Sequence, residues 1–351
     1  MKYSIIIAVY NRLDEVVELL KTAEALEFEK GDFEILFVDD GSTDGFKNFV
    51  ENYKTSSTLN IRTIYQTNKG PGAARNSGMK RAFGDYFLFV DSDCLLPKNW
   101  LDEIERALKK NNYDAFGGPD AAHRDFSPLL KAISYCMTSF IGTGGTRGRR
   151  KSVAKFYPRS FNMGVKKEVF KKIGGMSTLR HGQDLDFSQR IYNAGFNVGL
   201  IEKAFVYHKR RVSIPKYFRQ IVNWGVARIN LGRVHKELLK PIHFLPLVAL
   251  AIPILMLVLT MIYPKLLFKL WIAAFFVYFA GNLFAFIQSY TIYRSLRVSS
   301  LVPLILNIQV FAYGFGQIWA LFQVALLGRD EAEGFVKNYY GKKIANRGKE
   351  I

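Results

Sequence analysis

Only two cysteines occur among the 351 residues. Cys94 and Cys136 have neither metal-ligand spacing nor a partner cluster, so they offer no thiolate metal site and fit a reducing compartment. Acid is also short: 30 Asp and Glu stand against 49 Lys and Arg, a formal charge of +19. There is no internal repeat and no low-complexity segment. The opening "MKYSIIIAVYNR" is too short an apolar run for a signal peptide and reads as a strand, which predicts a cytoplasmic location for the domain before Pro241. Nothing resembles a nucleic-acid-binding module, and the Gly-rich "TGGTRGRRK" at 143–151 lacks the Walker spacing; it reads instead as a loop that orders around substrate.

What the chain has in quantity is apolar sequence, 49% of it, concentrated late. "IHFLPLVALAIPILMLVLTMIY" at 242–263 is nearly free of charge, and stretches 266–293 and 299–327 continue in the same character. An apolar run of about 20 residues spans a bilayer as a helix, so these predict about three membrane helices within 241–328. The basic residues crowd 146–159, 166–172, 208–211 and 233–240. Beside membrane spans, the partners such a surface predicts are anionic lipid headgroups and phosphate-bearing substrates. In 213–240, Tyr217, Phe218, Ile221, Trp224 and Ile229 recur among Lys and Arg at near-helical spacing, predicting an amphipathic helix in the headgroup plane. The Lys-rich tail, 329–351, would lie outside if three full spans succeed a cytoplasmic domain, against the positive-inside tendency. A re-entrant segment at the Pro-interrupted 242–263 would return it to the cytoplasm.

Before the spans, strand patterns alternate with helical ones. "YSIIIAV" (3–9), "FEILFVDD" (33–40), "IRTIYQ" (61–66) and "DYFLFVD" (85–91) read as buried strands; 14–26, 70–84 and 98–110 read as helices. That alternation predicts βαβ units and a parallel sheet covered on both faces. Ligands of such sheets bind beyond the carboxyl ends of the strands. Asp39, Asp40, Asp91 and Asp93 all fall there. A turn needs one Asp; two carboxylates one residue apart after a buried strand point to something positive being held.

"SIIIAVYNR", "VDDGSTDG", "NKGPGAARNSGMKRAFGDYFLFVDSDC", "FNMGVKKEVFKKIGGM" and "GQDLDFSQRIYNAGF" stand in this order over about residues 2–212. In this the chain resembles glycosyltransferase family two, inverting enzymes of nucleotide sugars with a single Rossmann-like (GT-A type) α/β fold and a mostly parallel central sheet. The C-terminal spans make it look like the membrane-anchored enzymes of exopolysaccharide and lipid-linked glycan synthesis. The resemblance implies a divalent cation, Mg²⁺ or Mn²⁺, on Asp91 and Asp93, with Asp91 shared with the ribose; hard cations take oxygen ligands and offset the charge of a leaving diphosphate. It implies that His208, after "AFVYH", completes the coordination. Asp40 would accept from uracil, with Asp39 beside it, unless the pair forms an Asx turn, a role Asp44 also suits. Ala8 and Tyr10 would line the base pocket, and Asn162 would touch sugar or acceptor. Arg75, at a helix start, suits a phosphate. Asp184 would be the base, although the family pattern has Glu-Asp where this chain has Gln183-Asp184, and Asp186 would support it; the alternative for Asp184 is a plain helix cap.

The reading is therefore a catalytic domain at 1–212, an interfacial helix at 213–240, membrane helices at 241–328 and a basic tail at 329–351. It predicts a metal-dependent transferase passing a sugar from a nucleotide sugar, a UDP-sugar, to a hydroxyl of a polyprenyl-diphosphate-linked glycan at the cytoplasmic membrane. A polyprenyl-phosphate glycosyl synthase is the competing enzyme; a phosphate acceptor needs no base, which leaves "GQDLDFSQR" without a task. A processive polymerase would carry Gln-x-x-Arg-Trp, to which "RQIVNWG" has only a partial likeness. A non-catalytic nucleotide-binding scaffold is the rival of another class, and the intact acidic motifs argue against it.

Overall fold

A computed structural model describes residues 1–144, 155–179, 181–209 and 213–335. Most of the Gly-rich segment, 145–151, and the basic tail beyond 335 lie outside the described residues. In chain order the elements begin β1 (Tyr3–Val9), α1 (Leu13–Glu24), β2 (Phe33–Asp39), α2 (Phe46–Ser56), β3 (Ile61–Tyr65), α3 (Pro71–Arg81) and β4 (Tyr86–Val90). They continue β5 (Cys94–Leu95), α4 (Trp100–Asn111), β6 (Ala115–Gly117), β7 (Asp120–Ala121), α5 (Pro128–Thr138) and α6 (Phe140–Thr143). Next come β8 (Asn162–Lys166), α7 (Lys167–Ile173), α8 (Gln183–Asn193), β9 (Val198–Leu200) and β10 (Val206–His208). The chain ends in α9 (Ile214–Val234), α10 (Leu245–Thr260), α11 (Pro264–Tyr293) and α12 (Leu296–Ala325).

The chain divides into two compact units. Met1–Arg124 and the later residues to Lys209, without 125–144, form the first; Asp125–Gly144 and the stretch after 210 form the second. The expected single boundary near 212 thus misses one insertion: 125–144 sits inside the catalytic sequence yet belongs to the helical unit.

In the first unit a seven-stranded sheet runs β3-β2-β1-β4-β8-β6-β9. β8 lies antiparallel to both β4 and β6, and the other pairings are parallel. Both faces are covered, which is why β1 and β2 read as unbroken apolar runs. Side chains alternate: Ile5, Ile7 and Val9 join Leu19, Phe37, Leu88 and Trp100 on one face. Ile6, Leu36, Phe87 and Phe89 meet Met79, Met163, Phe187 and Ile191 on the other. A small sheet, β5-β10-β7, crosses the carboxyl side, with β10 antiparallel to β5 and parallel to β7.

Among the described residues of the second unit, three helices are long and apolar enough to cross a membrane: Pro241–Thr260, Pro264–Tyr293 and Leu296–Ala325. α12 is central, packing on α5, α9, α10 and α11. The 30-residue α11 keeps Phe275, Phe276 and Phe279 exposed, as a lipid-facing helix does. The polar residues of the spans join helices. Asn307 donates to Asn282 (2.8 Å), Tyr135 to Gln288 (2.5 Å), Tyr217 to Gln309 (2.6 Å), and Gln317 to the carbonyl of His243 (2.9 Å). α9, expected as an amphipathic helix in the headgroup plane, packs its apolar side on other helices. Its apolar residues Tyr217, Ile221, Val222 and Val226 are buried. Gly225 and Gly316 bring the backbones of α9 and α12 together: a Cβ on Gly225 would stand 2.2 Å from the carbonyl of Tyr313, and one on Gly316 2.2 Å from that of Val222. Small residues at such a crossing favour helix on helix over helix on lipid.

Candidate active site

The carboxyl ends of β1, β2 and β4 lie side by side, and the placement of the acidic motifs is a consequence of that topology. Asn11, in the left-handed region at φ 52°, accepts from the backbone N–H of Thr43 at 2.7 Å, tying the loop after β1 to the loop after β2. Asp44 accepts from Leu13 N (2.8 Å) and Phe46 N (3.2 Å), so it fixes the starts of α1 and α2. Between these clamps Ala8 is half-buried and the ring of Tyr10 is exposed.

Both carboxylates of the Asp39-Asp40 pair are buried, and they have different partners. Asp40 is buried, and accepts from Gln66 Nε2 (2.7 Å), Lys69 N (2.9 Å) and Gly70 N (2.8 Å). Three of a carboxylate's roughly four acceptor positions are thereby filled by the loop leading into α3. Burial pushes the Asp40 carboxyl upward; those hydrogen bonds oppose the shift and the Asp39 charge adds to it. Asp39 accepts from Ser42 N at 2.9 Å. Asp40 is thus tied to the loop before α3 by three hydrogen bonds, and Asp39 to the turn after β2 by one.

Asp91 comes directly after β4, and its Oδ1 lies 2.5 Å from Arg75 Nη2. Arg75 is buried on α3, and its Nε has no hydrogen-bond partner. Ser92 donates to Glu15 Oε2 (3.3 Å), and Glu15 pairs with Arg12 (2.5 Å). Burial, then the charge of Asp93, drives the Glu15 carboxyl above its ordinary range, and Arg12 opposes them. The small sheet carries His208 to Asp93: Nε2 stands 3.1 Å from Asp93 Oδ1, and Nδ1 3.6 Å from Asp120 Oδ2. Asp93, Cys94 and His208 offer ligand atoms within 4.8 Å of one another. The thiol of Cys94 is buried and donates to the carbonyl of Phe161 (3.7 Å). That leaves carboxylate oxygens and an imidazole nitrogen, a donor set suited to Mn²⁺ or Mg²⁺ rather than to a thiolate-seeking metal.

Asp184 does not cap its helix. α8 starts at Gln183 with Gly182 as its N-cap residue, so Asp184 lies inside the first turn. Its Oδ1 accepts from Leu185 N (2.9 Å), and its Oδ2 is 3.8 Å from Arg159 Nη1. Gln183 packs over the first turn of α3, where a Cβ on Gly72 would come within 2.5 Å of its Oε1. The starts of α3 and α8, both positive helix ends, therefore adjoin. Asp186 is buried and pairs with Arg190 (3.1 Å), which donates to the carbonyls of Ile173 and Gly175; it braces the fold. Asn162, expected to touch sugar or acceptor, is buried, donates to the carbonyl of Ala204 (2.7 Å) and accepts from Trp100 Nε1 (3.3 Å), so its amide joins strands and loops. Glu15, Asp120 and Arg159, which touch Ser92, His208 and Asp184, were not singled out in the sequence. Glu15 sits within an ordinary helical stripe, and nothing in the spacing around the other two marks them.

The architecture and the acidic edge are those of a glycosyltransferase domain. Residues 4–174 match glycosyl transferase family 2, and the chain carries a domain of that family, whose donors are nucleotide sugars. Relatives agree on the class. A poly(ribitol-phosphate) β-N-acetylglucosaminyltransferase of Staphylococcus aureus, TarS, is 35% identical over 32% of this chain and 20% of its own length. Glycosyltransferase AglE of Haloferax volcanii is 27% identical over 66% of this chain and 77% of its own. The chain thus matches about a fifth of the first relative's length. In fold it is similar to the mannosyltransferase PcManGT of Pyrobaculum calidifontis, solved with GDP-Man and Mn²⁺: TM-score 0.59, 16% identity, 88% of this chain and 87% of that one.

Proposed function

We propose that this enzyme is an inverting, metal-dependent transferase that moves a sugar from a UDP-sugar to a hydroxyl of a lipid-linked glycan at the cytoplasmic face of the cell membrane. The observation that carries it is the pairing of Asp93 with His208 at the carboxyl edge, two residues beyond an Asp91 held by Arg75. Asp91, Asp93 and His208 would hold Mn²⁺ or Mg²⁺, which supplies charge neutralisation for a departing nucleoside diphosphate. Arg75 keeps Asp91 oriented and adds a fixed positive charge beneath the same place. Asp39 reads the base, with Asp40 holding the loop and Ala8 and Tyr10 beside it. Asp184 takes the proton from the acceptor hydroxyl as that oxygen attacks the anomeric carbon, and attack opposite the diphosphate inverts the configuration. Arg159 lies at ion-pair distance and orients the carboxylate. The three apolar helices and the +19 charge favour an acceptor and carrier at an anionic membrane surface.

The test is transfer of radiolabelled sugar in membranes containing the full chain, over a panel of UDP- and GDP-sugars, with and without chelator. Label moving into the lipid-extractable fraction from a UDP-sugar, lost on chelation and restored by Mn²⁺ or Mg²⁺, is the expected result. Label that enters lipid unchanged under exhaustive chelation overturns the metal dependence. Label found only in water-soluble polymer overturns the lipid-linked acceptor.

A further inference from the structure

The imidazole of His208 stands between two carboxylates, and only one belongs to the acidic motif after β4. Nε2 faces Asp93 Oδ1 at 3.1 Å, while Nδ1 faces Asp120 Oδ2 at 3.6 Å. The side chain of Asp120 is only 1% exposed. A carboxylate withdrawn from water to that degree is retained only among groups that compensate it. The backbone holds the trio in place. In the small sheet Val206 is registered with Asp120 on β7, and His208 with Cys94 on β5. The ring of Phe161 lies 5.1 Å from the imidazole, so the ring is bounded on a third side.

We propose that Asp120 is a positioning residue that fixes the orientation and tautomer of His208 for cation binding. The inference rests on the metal reading above. An imidazole that ligates a cation must turn one bare nitrogen to it, and the acceptor at the other nitrogen decides which one is bare. Once a cation occupies Asp93, the carboxylate facing Nδ1 at 3.6 Å favours the proton on that nitrogen electrostatically and leaves the Nε2 lone pair on the Asp93 side. Asp120 is not itself a ligand in this arrangement, because it stands at the opposite nitrogen.

The experiment is a Mn²⁺ titration of the detergent-purified full chain with UDP present, tracking free Mn²⁺ by electron paramagnetic resonance. Asp120→Asn is expected to bind Mn²⁺ about 10- to 100-fold more weakly than wild type. It should melt like wild type in metal-free buffer. In a His208→Ala background the same substitution should add nothing, since a residue acting through His208 has nothing left to act on. Equal Mn²⁺ affinity in wild type and Asp120→Asn overturns the proposal and leaves the metal reading standing. A further loss in the His208→Ala background also overturns it, because Asp120 would then act independently. No Mn²⁺ binding by wild type overturns the metal reading and this proposal with it. Should Asp120→Asn fail to fold, ¹⁵N resonances of the imidazoles in the Mg²⁺-loaded wild type decide, with His208→Gln assigning the signal among the five histidines. A proton on Nδ1 supports the proposal; a bare Nδ1 overturns it.

Discussion

Arg75 Nη2 and Asp91 Oδ1 lie 2.5 Å apart, and only 9% of the arginine side chain is exposed. A buried guanidinium beneath the first Asp of the acidic motif makes that carboxylate's position a property of α3 as much as of β4. Arg75→Met removes the buried member of the pair and leaves Asp91, 31% exposed, to be solvated by water, so we expect a loss of roughly 1–2 kcal/mol in unfolding free energy. Arg75→Lys retains charge and loses the planar fork, so stability should recover in part while transfer stays at least about tenfold reduced. Chemical denaturation and initial rates of both variants check this. Full activity in Arg75→Met would remove Arg75 from the site.

Glu15 gives a pH prediction whose sign can be worked out. Its carboxyl is raised above 4.5 by burial and by Asp93. A raised acid binds more protons folded than unfolded, so its contribution to stability is greatest below 4.5 and declines as pH rises through the folded value. Glu15→Gln keeps the acceptor for Ser92 and removes the ionisation. In chelator, the variant should therefore be more stable than wild type at pH 7, with the difference vanishing below about pH 4.5. Thermal melts from pH 4 to 8 decide; a variant less stable at pH 7 refutes the assignment.

The contact of α9 with α12 predicts a contrast between two glycines. Gly225→Ala places a Cβ 2.2 Å from the Tyr313 carbonyl, whereas Gly281 on α11 has nothing within 4 Å of its ideal Cβ. Gly225→Ala should lower the melting midpoint in detergent by several degrees, as overpacking by roughly 1–3 kcal/mol does. Gly281→Ala should be neutral or slightly stabilising. Equal behaviour of the pair would mean that α9 and α12 do not pack through Gly225.

The sheet and the acidic edge were legible because their signals are local. β1 occupies 3–9 as its apolar run predicts, and β2 ends one residue before the predicted 40. Asp91 and Asp93 announced themselves by their place after a buried strand. Asn162, Asp120 and Glu15 were not legible, because each owes its role to partners distant in sequence: Ala204, His208 and Ser92. No periodicity reports a pairing across 40 or more residues. The helix partner of α9 was hidden for a related reason. An apolar stripe with basic flanks looks the same whether lipid or another helix covers it, and only the glycine opposite Tyr313 distinguished the cases.

Under the proposed function, Asp184 is the residue on which the chemistry would turn. An acid in the first turn of a helix, without a capping bond, still interacts favourably with the helix's positive end by about 0.3–1 kcal/mol. A structural role therefore predicts that Asp184→Asn loses little stability, because the amide oxygen can still accept from Leu185 N, and that transfer stays near normal. A base role predicts something different. The fold and UDP binding should be unchanged, since neither needs the negative charge, but the acceptor hydroxyl would have no group to take its proton. Loss of a general base costs at least about a hundredfold in rate. Arg159, 3.8 Å away, supplies a control. Arg159→Met should weaken transfer by less than Asp184→Asn, because it disturbs the orientation of the carboxylate and leaves the carboxylate present. Single-turnover transfer with saturating donor, beside a UDP-binding isotherm for each variant, separates the two roles. Near-wild-type turnover in Asp184→Asn would end the assignment.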